Sequence, residues 1–159
     1  MQVFIFDRDI TNNAQFYCDK HVVKIPLEIT QILCTSVRVL NGYNEDDIYK
    51  ITHKNHPWCK FGYSSEEAFI YLYNLGYSLF KEYTYRYNRT HKSEVILTRC
   101  LEIIEYKNRD VDFDSLTFPL CIPEQYKTKD AIESYRNYCL GEKHHIGKWT
   151  NRPKPYWWK

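Results

Sequence analysis

Glycine and proline are scarce in this chain, five and six among 159 residues, and no low-complexity stretch or internal repeat occurs. That excludes a disordered or linker-dominated polypeptide and favours packed elements with short connections. The motifs that glycine builds are missing too, since there is no Walker loop, dinucleotide fingerprint or Gly-x-Ser-x-Gly elbow. No His-Glu-x-x-His pair occurs either, and the enzyme classes built on these motifs are set aside. The six cysteines, Cys18, Cys34, Cys59, Cys100, Cys121 and Cys139, include no Cys-x-x-Cys pair. Their wide scatter predicts reduced, mainly buried thiols in a cytoplasmic chain. Long apolar runs are lacking as well. The opening Met1-Gln2-Val3-Phe4-Ile5-Phe6 stops at Asp7-Arg8-Asp9, too short for a signal peptide or a membrane span, so no membrane partner is expected.

What the chain does have is aromatic mass, 15 Tyr, 8 Phe and 4 Trp, and an apolar fraction of 43%. That is enough for one continuous core and predicts a single domain over residues 1–159. The net charge of +2 is too small to name a partner, but its distribution is uneven. Gly141 to Lys159 carries Lys143, Lys148, Arg152, Lys154 and Lys159 against Glu142 alone, and Lys81 to Lys92 carries Lys81, Arg86, Arg89 and Lys92 against Glu82. Acidic residues gather at Glu45-Asp46-Asp47 and at Asp110, Asp112 and Asp114. The asymmetry favours an anionic partner; a solvated charged face is the plainer alternative.

Residues 2–6 are the one convincing strand, which must pack on helices or pair with something short because a lone strand makes no sheet. Thr11 is placed to cap a helix from Asn12 toward His21. Pro26 suits either the first turn of a helix beginning near Lys24 or a kink in a longer one. Ile25, Ile29, Ile32, Leu33, Val37 and Leu40 recur at helical spacing, with Asn41-Gly42 as terminator. Ser64-Ser65-Glu66-Glu67 reads as a capping box opening a long helix, and Ser93 and Thr128 are placed to begin two more. The pattern predicts a mainly α, single-domain helical bundle with a short extended N-terminal segment.

If the helix reaches back to His21, then His21, Lys24, Glu28 and Gln31 fall within roughly a quarter of its circumference. Val23 and Leu27 flank this polar stripe on one side, Ile25 and Ile32 on the other, which predicts a trough. Polar groups so placed need partners, either a ligand or a network between helices. The turn from His53 to Cys59 offers Asn55 and His56 for anion or base contact, Trp58 for stacking, and a His53, His56, Cys59 spacing that admits a zinc reading; no metal or other cofactor is expected. Tyr83, Arg86, Tyr87, His91 and Lys92 alternate ring and cation, suited to stacking and phosphate contact or simply to a helix C-terminus. Arg136, Lys143, Trp149 and Trp157 repeat the alternation near the end of the chain.

The stretches Cys18-Asp19-Lys20-His21-Val22-Val23-Lys24, His53-Lys54-Asn55-His56-Pro57 and Glu82-Tyr83-Thr84-Tyr85-Arg86-Tyr87, with the Trp- and Pro-rich tail, resemble a family of small, mostly uncharacterised phage proteins. More distantly the layout is similar to the phage pyrimidine-dimer DNA glycosylases, the endonuclease V family. That resemblance implies an endonuclease V-like helical fold, glycosylase/lyase-like chemistry on nucleic acid in an infected host cell, Glu28 as catalytic acid and His21 on phosphate; Lys20, Lys24 and Gln31 of the same stretch are candidates for ligand contact. The family exposes a small N-terminal residue by removing methionine; Gln2 is bulky, which predicts that Met1 is kept. The alternative is a non-catalytic counter-defence protein that sequesters a nucleotide immune signal, cyclic or ADP-ribose type. The oligomeric state stays open, a homo-oligomer included.

Overall fold

The computed structural model describes residues 1–159. Six α-helices carry the fold: α1 (Ile10–Phe16), α2 (Asp19–Asn41), α3 (Pro57–Gly62), α4 (Glu66–Tyr87), α5 (Glu94–Ile104) and α6 (Ala131–Glu142). Three short 3-10 turns, Phe113–Ser115, Glu124–Tyr126 and His144–Ile146, punctuate the connections, and there is no strand. The two longest helices, α2 and α4, form the centre, with α1 and α5 packed against them. At the crossing of α2, α4 and α5, Gly76 lets the backbones close up, because a Cβ there would lie 2.9 Å from Ile29 and 3.3 Å from Leu97. A single cluster of 35 buried residues draws on every α-helix, on Val3 to Phe6 and on Trp157 and Trp158. No helix is long and apolar enough to cross a membrane, and all six cysteines are free, only Cys121 reaching solvent in part.

The N-terminal segment is extended and buried, but it is not the strand that its apolar residues predict. Its backbone is satisfied by side chains instead of a ladder. Phe4 N–H donates to the Tyr17 hydroxyl (2.8 Å), which donates back to Phe4 O (2.6 Å). Phe6 N–H donates to Asn13 Oδ1 (2.7 Å), and Arg136 donates Nε–H and Nη2–H to Phe6 O (3.0 and 2.6 Å). These bonds let a bare backbone cross the core without the cost of unmet donors and acceptors.

Helix ends follow the expected chemistry with shifts of register. Asp9, not Thr11, caps α1 by accepting from Asn12 N–H (2.8 Å), and the chain breaks at Tyr17 and Cys18 before α2. Pro26 lies about two turns inside α2, so His21 and Glu28 share one helix; the Val22 carbonyl loses its helical donor there. Gly42 takes φ 63° and closes α2 as expected. Ser65 rather than Ser64 caps α4, accepting from Ala68 N–H (3.1 Å), and Asp130 rather than Thr128 caps α6. The turn His53 to Cys59 contains the start of α3, capped by His56 Nδ1 accepting from Trp58 N–H (3.1 Å). Arg38, buried in the last turn of α2, donates to the carbonyls of Tyr43, Glu45, Ile48 and Tyr49 and so shapes the acidic loop.

A buried charge network ties these elements to the tail. Arg86 of α4, its side chain wholly buried, donates Nε–H to Glu82 (2.9 Å), Nη1–H to Asp19 at the head of α2 (3.0 Å) and Nη2–H to Gln15 O (3.0 Å). Arg152 completes Glu82 with two further bonds (2.9 and 3.1 Å), and Thr150 gives Asp19 its N–H and hydroxyl (2.9 and 2.7 Å). Burial raises the Asp19 pKa, but the bonds from Thr150 and Arg86 outweigh it and hold the carboxyl below its usual value. Removing the central cation leaves Asp19 with no charged partner and Glu82 with Arg152 alone, a loss of about 3–5 kcal/mol. Urea denaturation of Arg86→Met is therefore expected to show that loss, and Arg152→Ala, at a side chain 23% exposed, a distinctly smaller one; equal stabilities for Arg86→Met and wild type would contradict this.

Candidate functional site

Because α2 runs unbroken through Pro26, it carries His21, Lys24, Glu28 and Gln31 along one face, about 100° per residue apart. Glu28 is 8% exposed. Its Oε2 accepts the Gln2 backbone N–H (2.8 Å), and Oε1 meets Lys24 Nζ at 3.6 Å. The Gln2 carboxamide locks this corner, its Oε1 accepting from Trp58 Nε1–H (3.0 Å) and Val3 N–H (3.1 Å), its Nε2–H donating to Cys121 O (2.9 Å). Gln2 is the site residue that sequence reasoning missed, since its partners lie 26, 56 and 119 residues away and no spacing signals them.

His21 rests against the Phe4 ring, centroids 4.7 Å apart. Burial, with the positive charges of Lys143 and Lys24, pushes its pKa down to about 4, so the imidazole is neutral at physiological pH. A neutral imidazole brings no positive charge to this face. His56 is likewise held below its usual value, by burial, by the terminal amino group and by His53, against the opposing pull of Glu28. Lys143 lies over the Tyr138 ring at 5.8 Å. Lys24 thus meets Glu28, the charges of Lys24 and Lys143 reach His21 and that of Glu28 reaches His56, with Gln31 half-buried a turn further on and Lys20 and Asn55 exposed nearby in sequence. The expected trough has one open wall: Ile25 and Ile32 are buried, but Val23 is 43% exposed.

The remaining candidates are placed elsewhere or inside. Arg86 is enclosed by Asp19 and Glu82, so the reading of it as a phosphate grip gives way to a structural one. Trp58, Tyr83 and Trp157, expected as stacking faces, are 0%, 8% and 8% exposed and belong to the core. Tyr87 is half-buried against Tyr83 (5.1 Å), and Trp149 donates its indole N–H to Phe16 O (3.0 Å). His91 bridges Val23 O (3.2 Å) and Ser93 N–H (3.1 Å), pinning α2 to the start of α5, while Lys92 is exposed. Arg136 holds Phe6 O and stacks over Trp157 at 5.2 Å. No group of three or more His, Cys, Asp or Glu side chains is placed to hold a metal ion, so His53, His56 and Cys59 do not converge. Comparison with protein-family models, curated proteins and solved structures gives no match.

The His21 environment has a consequence for pH. A histidine whose folded pKa of about 4 lies below its unfolded value of 6.5 takes up its proton more readily in the unfolded chain. Stability from this group is complete above pH 6.5 and falls as pH drops toward 4, by about 3 kcal/mol in all. Urea midpoints measured across this window are expected to fall less steeply for His21→Gln than for wild type; parallel curves would contradict the assignment.

Proposed function

We propose that the Glu28 face recognises a phosphate-bearing nucleoside within nucleic acid and acts as an N-glycosylase-type site, as the resemblance to the endonuclease V family implies. The observation that carries this reading is Glu28 itself. A carboxylate 8% exposed that accepts one backbone N–H and meets one ammonium at 3.6 Å retains lone pairs for a reacting group. In glycosidic hydrolysis the bond from the base to C1′ breaks with its electron pair leaving on the base. Water adds to C1′ and gives a proton to the Glu28 carboxylate, which delivers it as catalytic acid to the departing base, so that the base leaves neutral and the carboxylate, which also stabilises the oxocarbenium-like sugar, is regenerated. Lys24 and Lys143 supply the positive charge for flanking phosphates, and neutral His21 offers a hydrogen bond. Lys20 and Asn55, exposed beside them in sequence, extend the contact along the backbone.

Sequestration of a free nucleotide in the same place is less well supported. Such a ligand needs an enclosing pocket of several hundred Å³, whereas Val23, 43% exposed, leaves this face open, and cavities of about 270–580 Å³ lie elsewhere, away from Glu28, His21 and His56. An open face suits a long substrate, such as a duplex, better than a small one.

Glu28→Gln tests the reading, because glutamine retains the acceptor for Gln2 N–H and removes only the charge and the proton site. Base release from a UV-irradiated duplex is expected to fall by about 10²–10⁴-fold, with gel-shift affinity for that duplex preserved. Turnover unchanged in this variant, or no binding of irradiated or plain duplex at low salt, would reject the proposal.

A further inference from the structure

On the side of α4 that faces the tail, Tyr77, Lys81 and Tyr85 repeat every four residues and therefore share one helix face, the two rings about 12 Å apart along the axis. Both rings are exposed, 42% and 53%, which is unusual in a chain that buries most of its aromatic mass. Each has a cation against it: Lys81 Nζ lies 4.8 Å from the Tyr77 centroid, and the Arg152 guanidinium 3.8 Å from that of Tyr85. A third ring, Tyr156, is 76% exposed with Arg136 at 5.3 Å.

These residues line a row of adjoining cavities. A cavity of about 270 Å³ holding Tyr77, Lys81, Tyr85 and Arg152 shares Gln15 and Arg152 with one of about 340 Å³ that adds Lys154 and Tyr156. The first continues through Thr11, Tyr77 and Ser78 into a cavity of about 430 Å³, the second through Tyr156 into one of about 580 Å³. Two carboxylates touch the middle of this path. Glu82 is buried and already holds Arg86 and Arg152, and Glu94 meets Lys81 at 3.0 Å while leaving it 55% exposed. The two central cavities therefore keep a positive balance beside exposed rings, while the outer two add the carboxylates Asp9, Asp110, Asp130 and Glu133.

We infer that this row of cavities is a binding track for single-stranded nucleic acid, with Tyr77, Tyr85 and Tyr156 as stacking platforms and Lys81, Arg152 and Lys154 along the phosphates. Rings at intervals with cations between them meet both requirements of a flexible single strand, unpaired bases to stack and a backbone charge to neutralise. A duplex has its base faces stacked internally and offers the rings nothing. The track is separate from the Glu28 face and stands without it.

Fluorescence anisotropy of a labelled short oligothymidylate, titrated at low salt, tests the inference. Tyr77→Ala/Tyr85→Ala is expected to weaken binding by about 10-fold or more, and Tyr77→Phe/Tyr85→Phe to restore it, because the ring and not the hydroxyl does the stacking. Lys154→Ala is expected to flatten the slope of log affinity against log salt by about 0.7. Glu28→Gln should leave this affinity unchanged, which separates the track from the glycosylase reading. Absence of binding at low salt, full affinity in the folded alanine double variant, or tighter binding of the matching duplex would overturn it.

Discussion

The fold depends on one buried set of charges. Asp19 opens α2, Glu82 and Arg86 lie a turn apart on α4, and Arg152 comes from the tail. Together they join segments that the hydrophobic effect alone would leave free to slide. Apolar packing is non-directional and tolerates small shifts, whereas a guanidinium with three acceptors at 2.9–3.0 Å fixes both distance and angle. Charges taken out of water recover their desolvation only in good geometry, so the network acts chiefly as a register for the tail. Thr150 on Asp19 and Arg152 on Glu82 bring Trp157 and Trp158 onto the core that α1 and the N-terminal segment complete.

The same economy appears at the other end of the chain. The extended residues Val3 to Phe6 have no sheet to join, and Tyr17, Asn13 and Arg136 take the place of a neighbouring strand. Fixing that segment fixes Gln2, and Gln2 in turn sets Glu28 against Lys24. The carboxylate on which the proposed chemistry rests is thus oriented by a backbone N–H that is itself held in place by Trp58 and Cys121. A rigid support of this kind is what a reacting carboxylate requires.

The fold class was legible because helical periodicity is a local signal. Ile25 to Leu40 and Ala68 to Tyr83 announce α2 and α4, and Gly42 ends the first of them. Local chemistry also misled by small amounts where two candidates compete, as with Asp9 against Thr11 and Ser65 against Ser64. The larger departures are all long-range. Val3 to Phe6 look like a strand because β-branched and aromatic residues suit one, and nothing nearby shows that side chains will supply the bonds. Arg86 sits in a basic, tyrosine-rich stretch that resembles an exposed phosphate grip; its partner Asp19 is 67 residues away and gives no local sign. His21, Lys24 and Glu28 were legible as a stripe, whereas the Gln2 clamp was not. Tyr85 was legible only as part of a tyrosine-rich motif and Tyr77 not at all, because periodicity alone does not distinguish an exposed ring from a buried one.

The two faces assigned to function inherit the network's order, since Asp19 starts the helix that bears Glu28, and Arg152 belongs both to the network and to the tyrosine track. The most direct test is hydrogen exchange of the native protein compared with Glu82→Gln. If the network is the common anchor, residues 148–158 and the first turn of α2 lose protection together while α5 keeps its own. Unchanged protection of the tail, or loss spread evenly over α5 as well, would contradict the account.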